Sequence, residues 1–349
     1  MSQPHPIPLA RPFLGPEEEA ATLRALRSGR LVQGPEVAAF EDELAAACGR
    51  RWAVAVSSGT AALHLSLWAL GVGPGATVRV PAFTFPATAN AVRLLGADIE
   101  LVDVNPATWC MRLPGQLQGR TRSLTVHQFG FPARVFDGDI SDAACAAGVP
   151  AAMLGACACL SFHPRKVITT GEGGAIVGDD EGLRDLLLQL RSHGLSPREG
   201  TAFPEFDVER PGLNYRLGEA AAAMGRVQLA RLPALLEERR VLAARYRERL
   251  AGLDLGLQAD APGRSWQTFA VLLPESVSRD GVRRSLAAQG IETQVASYGL
   301  HTLAAYRAVP SAFPVADALP HRAMALPLWN GLPLADLDRV TDALRSALG

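Results

Sequence analysis

No stretch of this 349-residue sequence reaches the roughly 18 consecutive apolar residues that a membrane-spanning helix needs. The densest apolar run, Val149 to Phe162, is rich in Ala and Cys and stops at a charged segment. Met1 to Arg11 has no apolar core region and does not read as a secretory leader. A soluble, cytoplasmic protein is expected. Cysteine is scarce: five residues, at 48, 110, 145, 157 and 159, odd in number and irregular in spacing. A secreted disulfide framework is therefore not expected. Cys157 and Cys159 stand two apart, as on one face of a strand, but no further ligands cluster there for a metal. Small buried thiols are the expectation. A charge excess is missing as well. Lys plus Arg number 34 against 35 Asp plus Glu, so nothing electrostatic calls for nucleic acid or an anionic membrane as partner. A Walker sequence is absent, and no GxGxxG follows a strand, which removes the main support for nucleotide hydrolysis or dinucleotide binding.

What is present is a chain with apolar residues at 48% and charged residues at 20%, long enough for one large domain and a smaller one. Helices are expected at Pro16–Ser28, from Gly34-Pro35 to near Gly49, at Ala61–Leu70, Pro86–Leu95 and Glu181–Arg191. Strands are expected at Trp52–Val56, Thr77–Pro81, Asp98–Val104, Ser123–His127, Arg134–Ile140, Leu160–Phe162 and Gly174–Val177. Strands alternating with helices imply an α/β fold with a mostly parallel central sheet covered on both faces. Two long helices, Leu217–Arg231 and Leu232–Leu250, lead out of this large domain, taken as residues 1–232. Residues 233–349 read as a small α/β domain, with strands at Trp266–Leu273 and Glu292–Val295 and helices at Ser278–Gln289 and Leu334–Leu348.

Three places carry possible chemistry. Lys166 sits in a turn just after a buried strand and before the glycines of Gly171-Glu172-Gly173-Gly174. Desolvation there favours a neutral amine, the form that attacks an aldehyde, and the glycines allow close approach of a cofactor. Spacing alone favours a solvated surface lysine over a catalytic one. Ser58-Gly59-Thr60 lies between a strand and a helix, where free N–H groups suit a phosphate, or where the residues simply cap the helix. Asp142 follows a strand and points toward the cleft where α/β sheets bind ligands. It could hold a pyridine nitrogen protonated, or serve as a cap.

Together and in this order, these pieces resemble the DegT/DnrJ/EryC1/StrS family of sugar aminotransferases. The resemblance runs through Leu31-Val32-Gln33-Gly34-Pro35, Ser57 to His64, Pro81 to Phe85, Val102-Asp103-Val104, Ser161 to Lys166 and Thr170 to Gly174. It continues in Arg191-Ser192-His193-Gly194, Gly212 to Arg216 and Ala325 to Leu328. It implies the pyridoxal 5′-phosphate-dependent transferase fold type I. It also implies a Schiff base on Lys166, which then moves a proton as base and acid. Gly59, Thr60 and Ser161 are implied to hold the phosphate, Phe85 to stack on the pyridine ring and Asp142 to face its nitrogen. Asn214 is implied to reach the phosphate of a neighbouring subunit, making a homodimer with shared sites. His163, His193, Tyr215 and His301 match positions near cofactor or substrate; each, like Arg216, is also open to a purely structural role. The implied reaction is ping-pong transfer of an amino group from an amino acid, glutamate for preference, to a nucleotide-linked keto-sugar.

Two departures stand out. Nine residues separate Pro132 from Asp142, too few for the family's full crossover helix, which leaves Asp137 and Asp139 as fallbacks for the pyridine partner. Cys145 stands where the family often has Gln, so the cofactor's surroundings should differ. Family members that are sugar dehydratases carry His in place of the lysine, and Lys166 argues against that activity. A non-catalytic relative with a regulatory or binding role is the alternative from another class. Loop Leu195–Phe206 is where substrate choice is expected to lie.

Overall fold

The computed structural model describes residues 5–112, 121–198, 205–307 and 312–349. A seven-stranded sheet forms its centre: Trp52–Val56 (β1), Thr77–Pro81 (β2), Asp98–Val102 (β3), Thr121–Val126 (β4), Ile140–Asp142 (β5), Cys157–Ser161 (β6) and Gly174–Gly178 (β7). The order across the sheet is β1-β7-β6-β5-β4-β2-β3. From β6 to β3 every pairing is parallel, while β7 runs antiparallel to both β6 and β1. This direction pattern has one consequence for function. The carboxyl ends of β1, β2, β4, β5 and β6 all lie along one edge, where open α/β sheets bind their ligands.

Strands β1, β6 and β7 are largely apolar on both faces, as a sheet covered on both sides requires, while β2 and β3 at the opposite edge from β1 carry the ion pair Arg79–Glu100. Trp52–Val56 is buried throughout, and β6 and β7 are nearly so. One face is packed by Gly59–Ala69 (α3), with Leu65 and Leu67 fully buried, together with Ala87–Leu94 (α4) and Glu181–Arg191 (α5). The other face carries Pro35–Cys48 (α2) and part of Glu219–Arg249 (α6), through Phe40, Leu229, Leu232 and Leu235. Pro16–Arg27 (α1) packs on α6.

The expected strand at Arg134–Ile140 is not formed. Pairing begins only at Ile140 and ends at Asp142, so Asp142 is the last residue of β5 rather than part of a following loop. Residues 127–139 join two parallel strands with only a short 3-10 turn at Gln128–Gly130, where an α-helix would be usual. Ala143, Ala146, Ala147 and Val149 fill the thinned layer beneath Leu232 and Leu235 of α6. The approach is close: a side chain at Gly148 would meet Leu236 at 2.5 Å.

The two helices expected from 217 to 250 are one continuous helix, with Pro233 inside it. A four-stranded antiparallel sheet follows, built from Gly256–Leu257 (β8), Phe269–Leu272 (β9), Gln294–Val295 (β10) and Ala323–Leu326 (β11). Arg279–Ala288 (α7) and Leu334–Leu348 (α8) cover it, enclosing a core of Tyr246, Phe269, Leu286 and Leu337. A separate two-stranded sheet, with Tyr298–Gly299 antiparallel to Phe83–Thr84, ties the later part of the chain to the turn after β2. No helix among the described residues is long and apolar enough to cross a membrane.

Candidate active site

The elements above bring most of the predicted residues to the carboxyl edge of the large sheet. Ser58 caps α3 by accepting from the Ala61 N–H at 3.0 Å, which leaves the first-turn amides of Gly59 and Thr60 facing outward from the helix end. Gly59 is pressed against the end of β6: a Cβ there would sit 2.7 Å from Ser161 Cβ and 3.1 Å from its Oγ. Gly174 is tighter still, since a Cβ would lie 2.4 Å from the Ser58 carbonyl carbon. The helix N-terminus at Gly59 thus lies beside the Ser161 hydroxyl, with Thr60 exposed next to it. That is the chemistry a phosphate monoester requires.

Asp142 is buried at the end of β5. Its Oδ2 accepts from Thr88 Oγ1 at 2.9 Å and its Oδ1 from the Ala144 N–H at 3.2 Å. Thr88 in turn meets Thr84 Oγ1 at 3.2 Å. Burial raises the proton affinity of Asp142 above the ordinary carboxylate range, opposed by these two hydrogen bonds and the nearby charge of Lys166. A cation set against a buried carboxyl offsets this desolvation and favours the carboxylate, so the position suits a protonated ring nitrogen. The fallbacks are placed differently. Asp139 is buried before β5 begins, where it accepts from the Phe136 N–H and Thr125 Oγ1, and Asp137 is exposed.

Lys166 lies in the turn after β6, its N–H donating to His163 O at 2.8 Å. Its Nζ donates to Cys145 Sγ at 3.3 Å. Both residues are half-buried. Phe85 follows Thr84 on the same turn and is 64% exposed, with Tyr298 edge-on to it at 6.0 Å. His301 follows Tyr298 by three residues and lies 2.7 Å from Asp317.

Asn214, Tyr215 and Arg216 form a second group. Ser192 bridges to Asn214, the Ser57 N–H donates to Tyr215 O at 2.8 Å, and Arg216 bridges to Val56. This segment therefore runs beside the phosphate-side loop. Asn214 itself is exposed, accepting from Arg216 Nε at 3.1 Å, and Tyr215 Oη is 3.4 Å from His64 Nδ1. His193 is exposed at a positive φ of 63°. His163 is half-buried with Glu172 at 4.0 Å; burial lowers its proton affinity, and the charge of Glu172 acts the other way. Of the loop Leu195–Phe206, residues 195–197 pair with 206–208, and residues 199–204 lie outside the described residues. No metal-binding group of His, Cys, Asp or Glu occurs among the described residues.

The sequence reading missed several participants: Thr88 on Asp142, Tyr298 on Phe85, and Ser265, whose Oγ donates to Cys145 O at 2.7 Å. It also missed a compositional signal. Of the 34 Lys plus Arg residues, 33 are Arg and one is Lys, at position 166. Everywhere else the chain meets its need for positive charge with guanidinium, which cannot serve as a nucleophilic amine.

Comparison with known proteins places the chain in a family. The DegT/DnrJ/EryC1/StrS aminotransferase family signature matches residues 12–134 and 140–345, and the gap falls on the shortened crossover. DesV of S. venezuelae, solved in complex with a ketimine intermediate, is 32% identical, with 98% of each chain covered and a TM-score of 0.87. The aminotransferase TlmJ from Streptoalloteichus hindustanus is 31% identical, again with 98% of each chain covered and a TM-score of 0.87. The sugar aminotransferase Spr1654 from Streptococcus pneumoniae, in its PLP-form, is 26% identical over 99% of each chain, with a TM-score of 0.89. The chain belongs to the DegT/DnrJ/EryC1/StrS aminotransferase family, whose cofactor is pyridoxal 5′-phosphate.

Proposed function

We propose that this sugar aminotransferase moves an amino group from glutamate to a nucleotide-linked keto-sugar, with Lys166 as the residue that carries the cofactor and relays the proton. The observation that carries this reading is the lone lysine, in the turn after β6, with its charge acting on the buried Asp142. Bound cofactor supplies an electron sink that stabilises negative charge on the substrate carbon. The chain's own residues do the rest. The amides of Gly59 and Thr60 and the Ser161 hydroxyl bind the phosphate. Asp142, anchored by Thr88, holds a proton at the ring nitrogen. Phe85, backed by Tyr298, covers the ring face, and Cys145 lies beside the amine. In the first half of a ping-pong cycle Lys166 Nζ takes a proton from the donor's carbon, and in the second half it delivers a proton to the sugar carbon that receives the nitrogen. His163, His193, Tyr215 and His301 are assigned to the substrate side.

The assembly is a homodimer in the cytoplasm, with Asn214 reaching the partner's phosphate. Exposed apolar Leu31, Val32, Phe206 and Val208 support a covered surface around this segment. Two domains are drawn, 1–232 and 233–349, with the boundary inside α6 at Pro233; the separate core beneath the four-stranded sheet supports this division.

The experiment is incubation with glutamate and a panel of keto-sugar nucleotides, read by mass spectrometry. An amino-sugar nucleotide formed together with the keto acid of the donor is the expected product. Cofactor retention without transfer to any keto-sugar nucleotide would sink the substrate assignment.

A further inference from the structure

The Lys166 Nζ and Cys145 Sγ, 3.3 Å apart, are braced from one side by a single short segment. Ser265 Oγ donates to the carbonyl of Cys145 at 2.7 Å, and Gln267 Nε2 donates to the carbonyl of Arg165, the residue before the lysine, at 2.8 Å. Gly130 completes the bracing: a Cβ on it would collide with Ser265 Oγ and lie 2.8 Å from Cys145 O. Backbone on both sides of the sulfur–nitrogen contact is thus fixed. The other thiols are poor competitors for oxidation. Cys110, Cys157 and Cys159 are buried, and burial pushes the Cys48 thiol up to about 12. Cys145 is half-buried and has an amine against it.

We propose that Cys145 and Lys166 form an oxidative modification site, at which peroxide closes a reversible sulfur–nitrogen bond. First the sulfur attacks hydrogen peroxide: the S–H and O–O bonds break, an S–O bond forms, and water leaves with the thiol proton. Sulfur is oxidised and peroxide is reduced. The Nζ lone pair then attacks the sulfenic sulfur. The S–O bond breaks, and the oxygen leaves as a second water with one amine proton. The chain ends two hydrogens lighter, and an added dithiol restores both groups. The consequence rests on Lys166 being the cofactor's anchor. While the lysine holds the aldehyde form it is unavailable to the sulfur; while the cofactor is in its amino form the lysine is free.

The test uses the full-length, cofactor-loaded protein in two states: aldehyde form, and amino form made with excess amino donor. Each is treated with hydrogen peroxide, digested, and searched by mass spectrometry for the Cys145–Lys166 linked peptide. The expected result is a link in the amino form that dithiothreitol reverses, about tenfold less abundant in the aldehyde form, and absent in Cys145→Ser. Oxidation of Cys145 to the sulfinic acid with Lys166 still open to an amine reagent overturns the proposal, as does an unmodified Cys145. An equal yield of link in both states keeps the modification site and overturns instead the reading of Lys166 as the anchor.

Discussion

Thr88 Oγ1 donates to Asp142 Oδ2 at 2.9 Å, tying the start of α4 to the buried end of β5. The carboxyl expected to face the cofactor ring is therefore oriented by the turn that presents Phe85. Thr88→Val removes the donor and leaves a buried oxygen unpaired. A loss of about 1–3 kcal/mol of stability is expected in denaturant unfolding, together with weaker cofactor retention. An unchanged unfolding midpoint would mean the hydroxyl holds nothing.

Asp142 also sets a pH dependence for the cofactor-free chain. Its folded proton affinity is raised by burial, and the neighbouring Asp139 shifts the same way for the same reason. Between the unfolded and folded values the native state binds more protons. Each group's contribution therefore falls as pH rises through that window. Asp142→Asn should gain on the wild type as pH rises from acid to neutral, while it loses grip on the cofactor. Parallel stability curves for the two proteins would contradict this.

His127 works in the opposite sense. Buried and neutral, it accepts from the Ala133 N–H at 3.1 Å, and burial lowers its value from 6.5 to about 3. The unfolded chain binds more protons between these values. Stability from this group is complete above 6.5 and is lost as pH falls toward 3, by about 1.4 kcal/mol per pH unit. His127→Asn keeps an acceptor for Ala133 and should flatten the acid limb of the stability curve.

Gly174→Ala tests the close contact at the phosphate side. Its Cβ would meet the Ser58 carbonyl carbon at 2.4 Å, and backbone there cannot rotate away. A cost of about 1–3 kcal/mol is expected, with cofactor affinity falling more than in a matched variant at Gly73, which has open space on all but one side. Equal affinity loss in both would remove Gly174 from the site.

Much of this arrangement was legible in residue order. Trp52–Val56, Thr77–Pro81 and Glu181–Arg191 form as the apolar patterns dictate, Gly59 packs against Ser161, and the charge of Lys166 acts on Asp142. The region around β5 was harder to read. Arg134–Ile140 has strand-like composition, but β5 can pair only where β4 and β6 offer partners, from Ile140 onward. Two helices, Leu217–Arg231 and Leu232–Leu250, were expected where one forms around Pro233. The continuous helix shows that packing of Leu229, Leu232 and Leu235 on the sheet outweighs one lost hydrogen bond. Thr88, Ser265 and Tyr298 act through contacts between segments far apart in the chain, which no local pattern encodes.

The central claim is that the amine of Lys166 carries the cofactor, and a single lysine makes it unusually direct to test. The protein loaded with pyridoxal 5′-phosphate is reduced with borohydride, digested, and mapped by mass spectrometry, with Lys166→Arg treated alongside. The expected result is a visible absorbance band that borohydride abolishes, cofactor mass on the peptide containing Lys166, and neither in the variant. A wild-type chain that retains no cofactor, or a variant that keeps the same band, would contradict it.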